Sequence, residues 1–216
     1  MKNNIIEEKE SRIGFIFDKI KGLPYFAIDD LASVETNKIY LRILLARYCK
    51  AGKLIRLKKG YYVADEYLKN LVSQNGYAQF VANLLCPPSY LSLDYVLNRC
   101  GILTEMPVNF ISVAKEKTIS FSNRMGNFFY HKIRPDLFCG FETIEEGGFA
   151  INRATKAKAV FDYLYFKKKH LICRESAEEL RLNVFLLGAK DRKELRGYID
   201  MEKSRKMKEI YDWILA

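Results

Sequence analysis

The sequence predicts an α+β fold in two domains, and three observations support this. Residues 11–51 contain segments with the apolar spacing of helices, and two short β-prone runs follow around a glycine. Residues 108–151 contain further β-prone runs separated by turn residues, after which the spacing becomes helical again. With 216 residues, 49% of them hydrophobic, the chain is long enough for two cores. We therefore expect one domain in residues 1–70 and another in residues 76–216.

The N-terminal domain is predicted to contain three helices and a hairpin. The helices are expected at residues 11–20, 28–32 and 37–51. In the third helix the apolar side chains share one face, and they are Leu41, Leu44, Leu45 and Tyr48. Thr36 or Asn37 can cap this helix, and Gly52 can end it. Residues 54–57 and 61–63 then form a hairpin whose turn is Lys58-Lys59-Gly60. This order and length are typical of a winged helix-turn-helix.

The third helix and the hairpin are strongly basic. Residues 36–62 contain eight basic side chains and no acidic one, whereas the whole chain has a net charge of +10. Such a stretch indicates a surface that meets phosphates, and double-stranded DNA is the expected partner. The alternative is a solvated basic face. The predicted DNA-binding residues are Asn37, Lys38, Tyr40, Arg42, Arg47, Lys50, Arg56, Lys58 and Lys59.

The residue types suggest different contacts to DNA. Arginine can bind guanine or phosphate through two donors, lysine suits phosphate, and Asn37 can contact adenine through both amide atoms. Tyr40 lies next to the apolar Leu41, so it either contacts a base or covers the core.

The C-terminal domain is predicted to combine a sheet with helices. A connecting helix at 65–75 ends before Gly76, and Ser92 caps a helix that runs to about Cys100. Strands are expected at 108–113, 118–121 and 127–132, for which an antiparallel meander is the simplest pairing. Residues 138–143 and 148–151 add a hairpin. A helix follows, on which the face is formed by Ala154, Ala157, Val160, Phe161 and Leu164.

Several functional classes lack their sequence features. No apolar run approaches the roughly 20 residues of a membrane span, and the start lacks the apolar core of a signal peptide, so we expect a cytoplasmic protein. The five cysteines form no C-x-x-C pair, which favours reduced thiols over a metal site. We expect no cofactor. Arg124 and His131 have a spacing found in some ribonucleases, but they fall in a predicted hairpin.

Five blocks of this sequence, in this order, resemble the AbiEi-type antitoxins. The resemblance runs from about residue 10 to residue 170. Its blocks are the predicted winged helix that ends in residues 52–62, residues 88–93 with 101–103, residues 128–133, residues 135–141 and residues 154–165. The family's last helix usually opens with a Pro-Glu-Lys-Ala-like step. This chain has Lys156-Ala157-Lys158-Ala159 there, without the proline or the glutamate.

The resemblance implies an antitoxin of a type IV toxin-antitoxin, or abortive infection, system. Such a protein represses its own operon by binding repeated promoter sites as a monomer or weak dimer. It counteracts a nucleotidyltransferase-like toxin without forming a tight complex, and it is not an enzyme. The alternative is a nuclease that a winged helix delivers to nucleic acid. For that activity the only carboxylate set is Asp94, Glu105 and Glu116, the last beside Lys117.

Overall fold

The computed structural model describes residues 17–215, which fall into two compact units divided between Gln74 and Asn75. The predicted α+β class is confirmed, because helices and β-sheets are both present. Of the helix expected at 11–20, residues 17–20 are helical, and residues 11–16 lie outside the described residues.

The first unit surrounds a small three-stranded antiparallel sheet with short helices. Its elements are β1 (Phe26–Ala27), a 3-10 helix (Ile28–Leu31), α1 (Lys38–Lys50), β2 (Leu54–Lys58), β3 (Tyr61–Ala64) and α2 (Asp65–Lys69). The strand order is β1-β3-β2. The predicted hairpin is therefore present as β2 and β3, and the two-residue strand β1, which was not predicted, pairs with β3.

The core of the first unit forms beneath α1. This helix buries Leu41, Leu44 and Leu45, and they belong to one cluster with Phe26 and Leu54 from the sheet. The predicted apolar face is thus the packed face of α1. Because that face is occupied, the basic side chains between these leucines are left at the surface.

The second unit contains a six-stranded sheet and several helices. The strands are β4 (Ser89–Leu91), β5 (Phe110–Ala114), β6 (Ile119–Asn123), β7 (Gly126–Lys132), β8 (Phe141–Glu146) and β9 (Phe149–Ala154). The α-helices are α3 (Gln74–Leu85), α4 (Leu93–Arg99), α5 (Lys156–Lys167), α6 (Arg174–Glu178), α7 (Ala189–Glu202) and α8 (Arg205–Leu215). Helix α5 packs against α4 and α7.

The predicted meander is right for β6 and β7, which pair in antiparallel fashion, but wrong for β5. The strand order is β6-β7-β5-β4-β9-β8, so β5 pairs with β7 in parallel and not with β6. The short strand β4 lies between β5 and β9 and is parallel to β9. Alternating residues predicted the strands themselves, but pairing depends on β4, whose three residues are too few for a pattern.

Two local predictions also need correction. The connecting helix expected at 65–75 is two helices, because α2 ends at Lys69 and α3 begins at Gln74, so that Gly76 lies inside a helix. Ser92 occupies the N-cap position of α4 but makes no side-chain cap hydrogen bond. Its hydroxyl donates to the buried carboxylate of Asp162 at 2.7 Å, which is a charge-assisted hydrogen bond.

Candidate nucleic-acid interface

Helix α1 presents its basic residues to solvent. Lys38, Arg42, Arg47 and Lys50 are all exposed, whereas the leucines between them are buried. Arg47 and Lys50 lie in the last turn, where positive charge also interacts favourably with the helix dipole. We call the exposed basic side chains of α1 and of the β2–β3 hairpin the basic surface.

Asn37 is the N-cap of α1. Its side-chain oxygen accepts hydrogen bonds from the backbone N–H groups of Ile39 and Tyr40, both at 3.0 Å. Of the two predicted capping residues, the structure therefore selects Asn37. The predicted bidentate contact to adenine needs the same oxygen, so that contact would break the cap. The amide nitrogen takes no part in the cap.

Two other predicted residues near the start of α1 already have neighbours. Lys38 forms an exposed ion pair with Asp29 at 2.7 Å, which a phosphate would have to replace. Tyr40 is half-buried and packs against the core of the first unit. Of the two readings of Tyr40, the structure thus favours the one in which it covers the core.

The hairpin carries the remaining basic groups. Lys59 is exposed at the turn, where Gly60 has a φ of +83°, a conformation that favours glycine. The Lys58 ammonium lies 4.2 Å from the centre of the Tyr61 ring, a cation–π distance. Tyr62, on the opposite face of β3, is buried and stacks on Phe26.

Arg56 of the hairpin and Arg42 of α1 both act electrostatically on Tyr62. It is exposed on β2 and lies opposite Tyr62 in the antiparallel register. Burial raises the pKa of the Tyr62 hydroxyl, and the charges of Arg56 and Arg42 oppose this rise. Both guanidinium groups therefore lie close enough to Tyr62 to act on it, which brings one arginine of α1 and one of the hairpin into the same neighbourhood.

The exposed face of α1 also carries apolar residues that the sequence reasoning missed. Ile39 is 69% exposed and Ile43 is 49% exposed. Both lie outside the buried stripe of leucines. The sequence indicated their exposure only through their position, since neither falls at the spacing of Leu41, Leu44 and Leu45.

A buried ion pair in the second unit was missed as well. Lys158 and Asp162 on α5 are fully buried, and their Nζ and Oδ1 atoms are 2.7 Å apart. Lys158 also donates to the backbone oxygen of Leu137 at 2.9 Å, and Asp162 accepts from Ser92 and Tyr90. These are the only two charged residues in the apolar segment 157–164, and that isolation was the available signal.

The acidic residues of β8 include one that is part of a polar cluster. Glu146, at the end of β8, accepts from Arg153 at 2.5 Å and from Arg99 at 3.0 Å. Burial raises the pKa of Glu146, but hydrogen bonds from Arg153 and Gln79 and the charge of Arg99 leave it below its ordinary value. Glu142 and Glu145 are exposed on the same strand.

The carboxylates considered for a nuclease do not all come together. Asp94 and Glu105 line a cleft of about 430 Å³ with Tyr163 and Lys167, but Glu116 is not among its lining residues. Throughout residues 17–215, no group of three or more His, Cys, Asp or Glu side chains is arranged to hold a metal ion.

Arg124 and His131, which have the ribonuclease-like spacing, lie in different parts of the β6–β7 hairpin. His131 is on β7 and packs against Phe166, with ring centres 5.3 Å apart. Burial lowers the pKa of the His131 imidazole, and the charge of Asp94 partly opposes this. Arg124 is in the turn between β6 and β7, as the hairpin prediction required.

Compared with known proteins, the chain matches no family model and none of the curated proteins. In the described part of the chain, none of the helices combines the length and the apolar character that crossing a bilayer requires. All five cysteines lie in the described part of the chain and none forms a disulfide; Cys86 is buried and the other four are half-buried.

Proposed function

We propose that this chain binds double-stranded DNA through the basic surface and represses its own operon. The observation that carries the proposal is the exposure of every basic side chain on α1, in a 27-residue stretch without one carboxylate. An α-helix is about 10–12 Å across with its side chains, so α1 would fit the major groove, which is about 12 Å wide, and the hairpin with Lys59 at its turn would reach a neighbouring phosphate track. The order of helix and hairpin supports a winged helix-turn-helix.

The second part of the proposal is an antitoxin activity of the second unit. We infer a type IV toxin-antitoxin, or abortive infection, system, in which the chain counteracts a nucleotidyltransferase-like toxin without a tight complex. The support is the ordered series of AbiEi-like blocks, most of which lie in the second unit. The protein would act in the cytoplasm as a monomer or weak dimer on repeated promoter sites, with neither cofactor nor catalytic activity.

The DNA-binding proposal is tested with the DNA upstream of the chain's own gene. We expect the triple variant Arg42→Ala, Lys58→Ala, Lys59→Ala to lose binding in a fluorescence anisotropy titration. Each phosphate contact removed should also flatten the dependence of log K on log salt concentration by about 0.9.

The matched control removes the same charge from the second unit. Lys115, Lys117 and Lys190 are exposed there, and their triple alanine variant should bind DNA as the wild type does. Equal losses in the two variants would mean that net charge alone attracts DNA, which contradicts the proposal. Cleavage of the DNA in the presence of Mg²⁺ would favour the nuclease alternative.

The antitoxin proposal is tested in cells with the same triple variant. Expressed from a foreign promoter beside the neighbouring nucleotidyltransferase, it should still rescue growth while it fails to repress a reporter. Loss of rescue by the folded variant would show that both activities use the basic surface, contrary to the proposal.

A further inference from the structure

The exposed face of α1 is chemically unusual for a surface that meets only phosphates. At about 100° of rotation per residue, Ile39, Ala46 and Ile43 lie at its centre, with Arg42 on one side and Arg47 on the other. Lys50, in the last turn, lies at the same angle as the two isoleucines, and all six side chains are exposed. Phosphate binding alone would not require two isoleucines at the centre of this face, because apolar side chains gain nothing from contact with phosphate oxygens.

The charge around the two isoleucines restricts what can cover them. No acidic residue occurs from Thr36 to Ala64, and the arginines flank the apolar strip on both sides. A complementary partner must therefore combine negative charge at its edges with apolar groups between them. The major groove of DNA has this combination, since phosphates line both edges and the 5-methyl group of thymine projects from the floor.

We infer that Ile39 and Ile43 contact thymine methyl groups and so determine which sequence the helix prefers. This inference rests on the proposed DNA binding and assigns the base contacts within it. The isoleucines are four residues apart, so they are displaced by about 6 Å along the helix, which is roughly two base-pair steps. We therefore expect two thymines at about that separation in the preferred site.

The arginines and isoleucines then have separate roles. Arg42 and Arg47 hold the helix in the groove through charge, while Ile39 and Ile43 distinguish thymine from bases that have no methyl group. Asn37 remains the cap of α1, which fixes the first turn and thereby the direction of the Ile39 side chain.

The test replaces thymine by uracil, which removes the methyl group and leaves the base pair unchanged. The wild-type protein first selects a preferred duplex from a random library, and each thymine of that duplex is then replaced singly. We expect affinity to fall roughly fourfold at two positions, the effect of one buried methyl group. For Ile39→Ala one of these two losses should disappear, and for Ile43→Ala the other.

The variants are suited to this measurement because both positions are exposed and alanine favours a helix more than isoleucine does. The control is Val72→Ala, since Val72 is 99% exposed in the same unit and outside α1. This control should keep both uracil effects.

The possible outcomes separate the two proposals. If the wild type selects a duplex but both isoleucine variants keep the full uracil effects, the methyl contacts are refuted and DNA binding stands. If no duplex is selected at all, the proposed function fails, and this inference fails with it. If the variants instead lose self-association in sedimentation without any change in the uracil effects, a second copy of the chain covers this face and the inference is overturned.

Discussion

Replacing Lys158 by methionine is expected to destabilise the second unit strongly. Methionine resembles the lysine stem in volume, so the variant removes mainly the ammonium group. The change leaves the Asp162 carboxylate buried, with Ser92 and Tyr90 as its remaining donors, and it removes the donor to the Leu137 oxygen. Breaking a buried ion pair in this way typically costs about 3–5 kcal/mol.

The pH dependence gives a sharper estimate. In the variant, Asp162 can avoid burying a charge by taking up a proton. At pH 7 this costs about 4 kcal/mol for a carboxyl group with an ordinary pKa of about 3.9, and each pH unit changes the cost by about 1.36 kcal/mol. Burial raises the pKa of the Asp162 carboxyl in the wild type, and the charge of Lys158 opposes this rise. Without that charge the pKa rises further, so the variant loses stability relative to the wild type as pH rises, and the destabilisation should be smaller at pH 5 than at pH 7, apart from a small constant for the unpaired carbonyl.

The assay is urea unfolding followed by the fluorescence of Trp213, the only tryptophan, which lies on α8 in the second unit. The control is Arg174→Met, which breaks an exposed pair of the same i,i+4 spacing with Glu178 at 2.9 Å. That change should cost below about 1 kcal/mol. A loss below about 1 kcal/mol for Lys158→Met, or a loss that does not vary between pH 5 and pH 7, would refute the reasoning.

Three further predictions concern local structure. Glu146→Gln should lower the free energy of unfolding at pH 7. Because the pKa of Glu146 is lowered, its contribution to stability is lost as pH falls below about 4.3, so the variant should lose less stability than the wild type in that range. Trp213 fluorescence measures both effects. Asn37→Ala should cost about 1 kcal/mol by removing the cap of α1, measured by amide hydrogen exchange along that helix. Gly140→Ala should cost roughly 2–3 kcal/mol in the urea assay, since φ is +72° there and a Cβ would lie 2.6 Å from Cζ of Tyr198.

Each of these has its own counter-result. An unchanged acid transition in Glu146→Gln would mean that Glu146 does not contribute to acid sensitivity. Faster amide exchange in Thr36→Ala than in Asn37→Ala would show that Thr36, and not Asn37, caps α1. Gly197→Ala is the control for Gly140, because nothing lies within 4 Å of its Cβ position, and it should gain about 0.5–1 kcal/mol. Equal effects at the two glycines would contradict the steric argument.

Local patterns in the sequence predicted α1 and the hairpin closely. The leucine spacing, the Asn37 cap and the glycine after residue 51 are all set by neighbouring residues, and α1 was found at Lys38–Lys50 with Asn37 as its cap. The exposure of the basic side chains follows from the same spacing. The conflict between this cap and the adenine contact predicted for Asn37 was less predictable, because it depends on both capping bonds being accepted by the same side-chain oxygen.

Nonlocal pairing was predicted less well. The strands β5, β6 and β7 were anticipated, yet β5 is parallel to β7 because the three-residue strand β4 takes the place beside it. A run so short has no measurable alternation, so its place in the sheet depends on contacts distant in the chain. Ser92 is a second case of a distant partner. Its neighbours predict a helix cap, but its hydroxyl donates to Asp162, which lies 70 residues away.

The α+β class, the charge of the basic surface and the helix that carries it follow from the sequence, because periodicity, capping and charge are properties of neighbouring residues. Which charged and apolar residues are buried depends on the folded chain. Lys158 looks like a surface lysine in the sequence but is enclosed with Asp162, whereas Ile39 and Ile43 look like core residues but are exposed. The sequence held only weak signals at these sites, namely two isolated charges in an apolar segment and two isoleucines outside the leucine stripe, because burial is set by what packs against a helix.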